Sequence, residues 1–164
     1  SAETAAGDYP VETVLAMSEA CLATEQSQDN KLDMDFLQRE FTRVDQSIAM
    51  AALFTASHLK VKAIAALTQT GYTALWMSRQ NCGVPIYALT PESEAYNRLS
   101  LFRDVFPVVL NCETTDREEL ISAAEEALLK SGAVQKGDLV VFTLGELIGK
   151  QGGTNTMRIL QVGR

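Results

Sequence analysis

The sequence predicts an α/β fold with a mainly parallel five-stranded sheet, helices on both faces and an antiparallel last strand. Short apolar runs alternate along the chain with segments of helical period. Strands joined through helices in this order require right-handed crossovers, which cover both faces of a parallel sheet. The last apolar run follows its neighbour through a loop too short and irregular for a crossover helix. We therefore expect the last strand to run antiparallel at or near an edge.

The predicted domain opens with a helix over residues 46–60. Ile48 and Ala52 belong to its inward apolar stripe, and Asp45 is placed to cap its first turn. The apolar run at 63–68 then predicts a buried strand, because it has no polar alternation. This helix and strand begin the alternating pattern that continues to the end of the chain.

The clearest predicted helix follows a capping box at Thr115 and Glu118, a pairing that satisfies N–H groups of a first turn. Leu120, Ala124 and Leu128 give its buried stripe, and Gly132 marks its end. The remaining predicted elements are helices over 73–81 and 92–102 and strands over 86–90, 105–111, 139–144 and 156–162.

The domain organisation follows from chain length and local composition. A chain of 164 residues suffices for one sizeable core. Residues 1–24 contain a helical pattern of their own, with Val14 and Met17 on one stripe. Residues 25–35 are predicted to form a linker, because the segment begins with a polar run that lacks an apolar period. The compact α/β domain is predicted over 36–164.

Charge and cysteine content exclude several classes of function. The net charge of −7 argues against nucleic acid or an anionic membrane as a partner. Cys21, Cys82 and Cys112 are far apart and suggest neither a disulfide framework nor a zinc site, and no metal site is predicted. No apolar run approaches the roughly 20 residues of a membrane helix. We expect a soluble protein of the reducing cytoplasm.

The turn after the first predicted strand is a candidate anion site. Thr68, Thr70 and Thr73 offer hydroxyl groups, and the backbone near Gly71 offers N–H groups. An ordinary capped turn between a strand and a helix explains the same residues equally well, because threonine often caps helices. The residues alone leave both interpretations open.

A second candidate segment is the glycine-bearing loop at 145–154. Lys150 could supply positive charge there, and its neighbouring glycines would allow the backbone to approach a ligand. A solvated loop lysine is an equally good explanation. The segment is not a P-loop, because its glycine spacing is one residue short and no Ser or Thr follows Lys150.

Several segments in the right order resemble the C-terminal part of bacterial pyruvate kinases. SAETAAGDYP at 1–10 resembles the last part of that family's catalytic barrel, which would make 1–24 the final barrel segment with its closing helix. DQSIA at 45–49 resembles the start of the regulatory domain, and TQTGYTA at 68–74 resembles its effector turn. GDLV at 137–140 and GTNT at 153–156 resemble its closing strands.

The resemblance implies a parent enzyme that transfers a phosphoryl group from phosphoenolpyruvate to ADP. Such an enzyme uses magnesium and potassium and forms a homotetramer. The family's catalytic lysine and metal ligands belong to segments upstream of this sequence. The resemblance therefore implies that the chain alone is inactive, with no catalytic residue and no cofactor of its own.

The resemblance also implies a phosphorylated effector, a sugar monophosphate or AMP. The chain departs from the common pattern at Gln69, where some members carry Lys, and at Tyr72, where Arg is frequent. Lost positive charge weakens a phosphate site. The implied effector residues are Thr68, Gln69, Thr70, Gly71, Thr73, Lys150, Gly152, Gly153 and Thr154.

An antiparallel last strand leaves backbone groups open for symmetric pairing across a two-fold axis. In the family that the chain resembles, regulatory domains meet in this way through the last strand and first helix. We expect self-association through Asp45, Ile48, Ala52, Met157 and Ile159.

Two other functions remain possible from the sequence. One is a purely structural assembly domain whose effector site has decayed, as Gln69 and Tyr72 would suggest. The other is a free-standing nucleotide-handling α/β enzyme, which would need an acid, base or metal cluster at the strand ends. The sequence offers Thr, Gly, Gln and Lys there.

Overall fold

The structure is a computed structural model that describes residues 2–26, 40–80, 82–112, 114, 116–145 and 153–164. The chain divides into two compact units, Ser1–Asp33 and Met34–Arg164. The first unit contains helices α1 (Ala2–Ala6) and α2 (Pro10–Gln26). Helix α2 extends two residues into the predicted linker, and the rest of that linker lies outside the described residues.

The second unit alternates helices and strands as predicted. Its nine described elements are α3 (Val44–Leu59), β1 (Ala63–Leu67), α4 (Tyr72–Ser78), β2 (Ile86–Thr90), α5 (Ser93–Leu99), β3 (Val105–Val109), α6 (Arg117–Lys130), β4 (Leu139–Gly145) and β5 (Thr154–Gln161).

The strands form one five-stranded sheet in the order β3-β2-β1-β4-β5. Strand β1 is central and pairs in parallel with β2 and β4, and β2 pairs in parallel with β3. Strand β5 pairs antiparallel with β4 and forms an edge. The predicted fold class is confirmed, including the direction of the last strand.

Both faces of the sheet are covered, since consecutive residues of β1 and β4 are buried and successive side chains of a strand point to opposite sides. One face buries Ala65 and Phe142 in a cluster that includes Ile121 and Leu128 of α6. Helix α3 contacts β1, β4 and β5, and the side chain of its Leu53 is fully buried. In the described part of the chain, no helix is long and apolar enough to span a membrane.

The two predicted helix caps are wrong by one or two residues. Helix α3 begins at Val44, so Asp45 lies inside its first turn and binds the Arg43 guanidinium through two hydrogen bonds of 2.9 and 2.7 Å. Helix α6 is capped by Asp116, whose side chain accepts a hydrogen bond from the Glu119 N–H at 2.9 Å. Asp116 is the cap because α6 begins at Arg117, which makes Glu119 the third helical residue, whose N–H group an N-cap side chain accepts.

Candidate functional site

The turn after β1 closes on itself through a side-chain hydrogen bond. The Gly71 N–H donates to the Thr68 hydroxyl at 2.9 Å, and the Thr68 N–H donates to the Leu89 carbonyl at 3.0 Å. Gly71 has a φ of 75°, a left-handed conformation that strains any residue with a Cβ atom. The predicted turn therefore has a fixed shape, set by Thr68 and Gly71.

Helix α5 packs directly against this turn. A Cβ atom built on Gly71 would lie 3.0 Å from Cδ2 of Leu99, whose side chain is fully buried. Glycine is thus required at position 71 both by its φ angle and by the close approach of Leu99.

A buried hydroxyl pair joins this turn to the beginning of β5. The Oγ1 atoms of Thr73 and Thr154 lie 2.7 Å apart, and the two residues are only 3% and 7% exposed. These residues are 81 positions apart in the chain. The structure therefore brings together two segments that the sequence analysis assigned to one site.

The backbone also closes at the base of the glycine-bearing loop. A Cβ atom on Gly145 would lie 2.7 Å from the carbonyl oxygen of Gly153, so only glycine fits at position 145. The predicted effector residues Lys150 and Gly152 lie outside the described residues, whereas Gly153 and Thr154 are placed beside the turn's α4 helix through Thr73.

Arg98 brings positive charge to the turn from another element. Its Nη2 atom donates a hydrogen bond to the carbonyl of Thr70, although Arg98 belongs to the last turn of α5, 28 residues further along the chain. Arg98 is not among the site residues predicted from the sequence. The available signal was the basic residue in the helix that follows the strand next to β1.

Tyr72 stands where Arg is frequent in the family that the chain resembles, and its ring is covered by the guanidinium of Arg43, the residue just before α3. Arg43 lies over the Tyr72 ring at 4.6 Å, and Arg79 lies over the Trp76 ring at 4.8 Å. The Asp45 carboxylate compensates the charge of Arg43, and its hydrogen bonds raise the pKa of that guanidinium. The Arg43 charge is therefore already neutralised within the domain.

The predicted interface residues divide into buried and accessible ones. Asp45 and Ala52 are 1% and 0% exposed, so their side chains lie inside the domain. Ile48 and Met157 are half-buried, and Ile159 is 42% exposed on the edge strand β5. In the described segments of the chain, no group of three or more His, Cys, Asp or Glu residues could hold a metal ion.

Taken together, these elements define an open α/β domain with a threonine- and glycine-built turn at the carboxyl end of its central strand. A family model described as "Pyruvate kinase, alpha/beta domain" matches residues 46–160, and the chain belongs to this family.

Several relatives with similar sequences are named pyruvate kinases. The chain is 40% identical to a pyruvate kinase of Buchnera aphidicola subsp. Acyrthosiphon pisum, an alignment that covers 99% of this chain and 34% of the relative. It is 41% identical to pyruvate kinase II of Salmonella typhimurium, with the same coverage of 99% and 34%. It is also 41% identical to a pyruvate kinase of Haemophilus influenzae, over 95% of this chain and 32% of the relative. The chain thus spans about a third of the length of these relatives.

Proposed function

We propose that this chain is the C-terminal regulatory part of a pyruvate kinase. The whole polypeptide would transfer a phosphoryl group from phosphoenolpyruvate to ADP, giving pyruvate and ATP in cytoplasmic glycolysis. The proposal is supported by family membership and by relatives named pyruvate kinase that are about three times as long as this chain.

The catalytic residues and the magnesium and potassium sites of such an enzyme belong, on this proposal, to the remaining two thirds of the polypeptide. The described residues do not fit a metal site, since they contain no suitable ligand cluster. The 164-residue chain is therefore expected to form no pyruvate from phosphoenolpyruvate and ADP, and the longer polypeptide is expected to form it. A coupled lactate dehydrogenase assay measures both. Pyruvate formation by the short chain, or its absence with the long one, would contradict the proposal.

The regulatory role would be to bind the phosphate of a sugar monophosphate or AMP at the turn after β1. The observation that carries this proposal is the buried contact of 2.7 Å between the Thr73 and Thr154 hydroxyls, which joins the turn to the base of the glycine-bearing loop. Ligands of open α/β sheets bind beyond the carboxyl ends of strands, which is where β1 and β4 end beside each other.

Isothermal titration calorimetry with glucose 6-phosphate, ribose 5-phosphate and AMP tests this role. We expect saturable heat with at least one of them and a weaker affinity for Thr70→Val, which removes a hydroxyl of the turn. Thr42→Val is the matched control, because Thr42 is exposed and lies before helix α3. Equal weakening by both variants would show that the turn is not the site.

A structural domain with a decayed effector site is the second candidate. It is favoured by one observation: the hydroxyls of Thr68 and Thr73 are already engaged in hydrogen bonds within the protein. In that case none of the three phosphorylated compounds would give heat or raise the melting temperature.

We further propose that the domain self-associates through the open edge of β5 together with α3, giving a homotetramer in the parent enzyme. Support comes from the antiparallel edge strand and from the exposed Ile159 on it. Sedimentation at high micromolar concentration is expected to give a dimer for the chain and a monomer for Ile159→Lys. Leu101→Lys, at an 85% exposed apolar residue outside β5 and α3, should remain dimeric. If the 164-residue chain without a substitution sediments as a monomer, the proposal is contradicted.

A further inference from the structure

The cations near the turn differ in whether a carboxylate neutralises them. The guanidinium of Arg43 lies 2.7 Å from Asp45, whose side chain is 1% exposed, so that pair carries little net charge. Arg98 also reaches the turn, through its hydrogen bond to the Thr70 carbonyl, and within the described ranges no carboxylate lies within ion-pair distance of it. Arg98 thus contributes an uncompensated positive charge beside Thr70.

The position of Arg98 is fixed by the packing of α5. Its neighbour Leu99 is fully buried and lies against Gly71 of the same turn. Arg98 itself is exposed, so its guanidinium remains accessible from solvent. The buried residue anchors the helix end, and the exposed residue beside it extends to the turn.

We propose that Arg98 binds the phosphate of the effector and replaces the positive charge that is missing at Gln69 and Tyr72. This inference rests on the proposed regulatory function of the turn. The guanidinium has five N–H donors in a planar fork that matches the oxygens of a phosphate. One donor contacts the Thr70 carbonyl among the described contacts, which leaves others for the ligand.

The ligand class that follows is a phosphate monoester in its dianionic form. Such a group gains most from a bidentate, charge-assisted contact with one arginine. Among the described residues, this turn has a single uncompensated guanidinium in direct contact with it, which suits one phosphate better than a bisphosphate. A sugar monophosphate or nucleoside monophosphate meets this requirement.

The test is calorimetric titration of the 164-residue chain with inorganic phosphate and with whichever of glucose 6-phosphate, ribose 5-phosphate or AMP it binds. Arg98→Gln is expected to weaken binding by about tenfold or more, and Arg98→Lys by a smaller factor, because Lys keeps the charge but not the fork. Lys62→Gln removes the same charge at the amino end of β1, the opposite edge of the sheet, and should leave affinity unchanged.

Salt dependence separates contact with the phosphate from support of the turn. If Arg98 touches the ligand, added KCl weakens binding to the original chain and has a smaller effect on Arg98→Gln, because the screened interaction is gone. If Arg98 only holds Thr70 in place, affinity falls in Arg98→Gln while the salt dependence stays the same, which would overturn the inference. Unchanged affinity in Arg98→Gln would overturn it and leave the proposed function standing. Absence of binding by the original chain would overturn both.

Discussion

The hydroxyl pair of Thr73 and Thr154 gives the sharpest test of how the turn is held. Thr73→Val keeps the shape of the side chain and leaves the buried Thr154 hydroxyl without its partner. Leaving a buried polar group unsatisfied costs about 1–3 kcal/mol, whereas replacing both partners by apolar groups is nearly neutral. We expect each single valine variant to lower the free energy of unfolding by about 1.5 kcal/mol and the double variant to cost less than the sum.

Thr143 provides the matched comparison. It is 0% exposed, and its Oγ1 atom has no hydrogen-bond partner in the described part of the protein. The same exchange, Thr143→Val, therefore removes an unsatisfied hydroxyl and should stabilise the domain by about 1 kcal/mol. One chemical change is thus expected to have opposite signs at Thr73 and Thr143.

The assay is urea unfolding followed by fluorescence of Trp76, the single tryptophan, with circular dichroism as a second probe. Trp76 lies in α4 with Thr73, so its emission reports on the helix that carries the hydroxyl. A loss of 1.5 kcal/mol corresponds to a fall in melting temperature of about 3–8 °C for a domain of this size. Additive effects in the double variant, or a destabilising Thr143→Val, would refute the reasoning from buried hydroxyls.

The backbone conformation of Gly71 and the burial of the Cys82 thiol can each be tested. Gly71→Ala should destabilise the domain by about 2 kcal/mol, because its left-handed φ and the 3.0 Å approach to Leu99 both oppose a Cβ atom. Gly132→Ala, with the same φ of 75° and open space around it, should cost about 1 kcal/mol, and equal losses in urea unfolding would contradict the packing argument. Burial raises the pKa of the Cys82 thiol above its ordinary value, so less thiolate is present at pH 8. Iodoacetamide followed by mass spectrometry should modify the exposed Cys21 first, and faster labelling of Cys82 would contradict this.

The fold could be predicted because apolar runs and crossovers depend on sequence pattern alone. Strand β2 has the bounds predicted from the sequence, 86–90. Gly83 and Pro85 lie just before it, and residues of these types end a helix and mark the start of the next element. The cap of α6 was misplaced because Thr115 and Asp116 are both good caps in adjacent positions. The start of the helix at Arg117 decides between them.

The proximity of the turn and the loop could be predicted for a similar reason. Parallel strands end at the same edge, so the turn after β1 and the loop after β4 were expected to face each other, and Thr73 does contact Thr154. The approach of Arg98 could not be predicted, because it depends on how α5 is rotated against the turn. Periodicity fixes the buried face of a helix only when the helix is long enough, and α5 has 7 residues.

Thr154 connects the edge strand β5 to helix α4. It is the first residue of the edge strand, and its side chain contacts the helix that begins beside Gly71. A displacement of Thr73 would either break its hydrogen bond to Thr154 or move the beginning of β5 with it. One hydrogen bond between side chains therefore ties the position of the edge strand directly to the position of the turn.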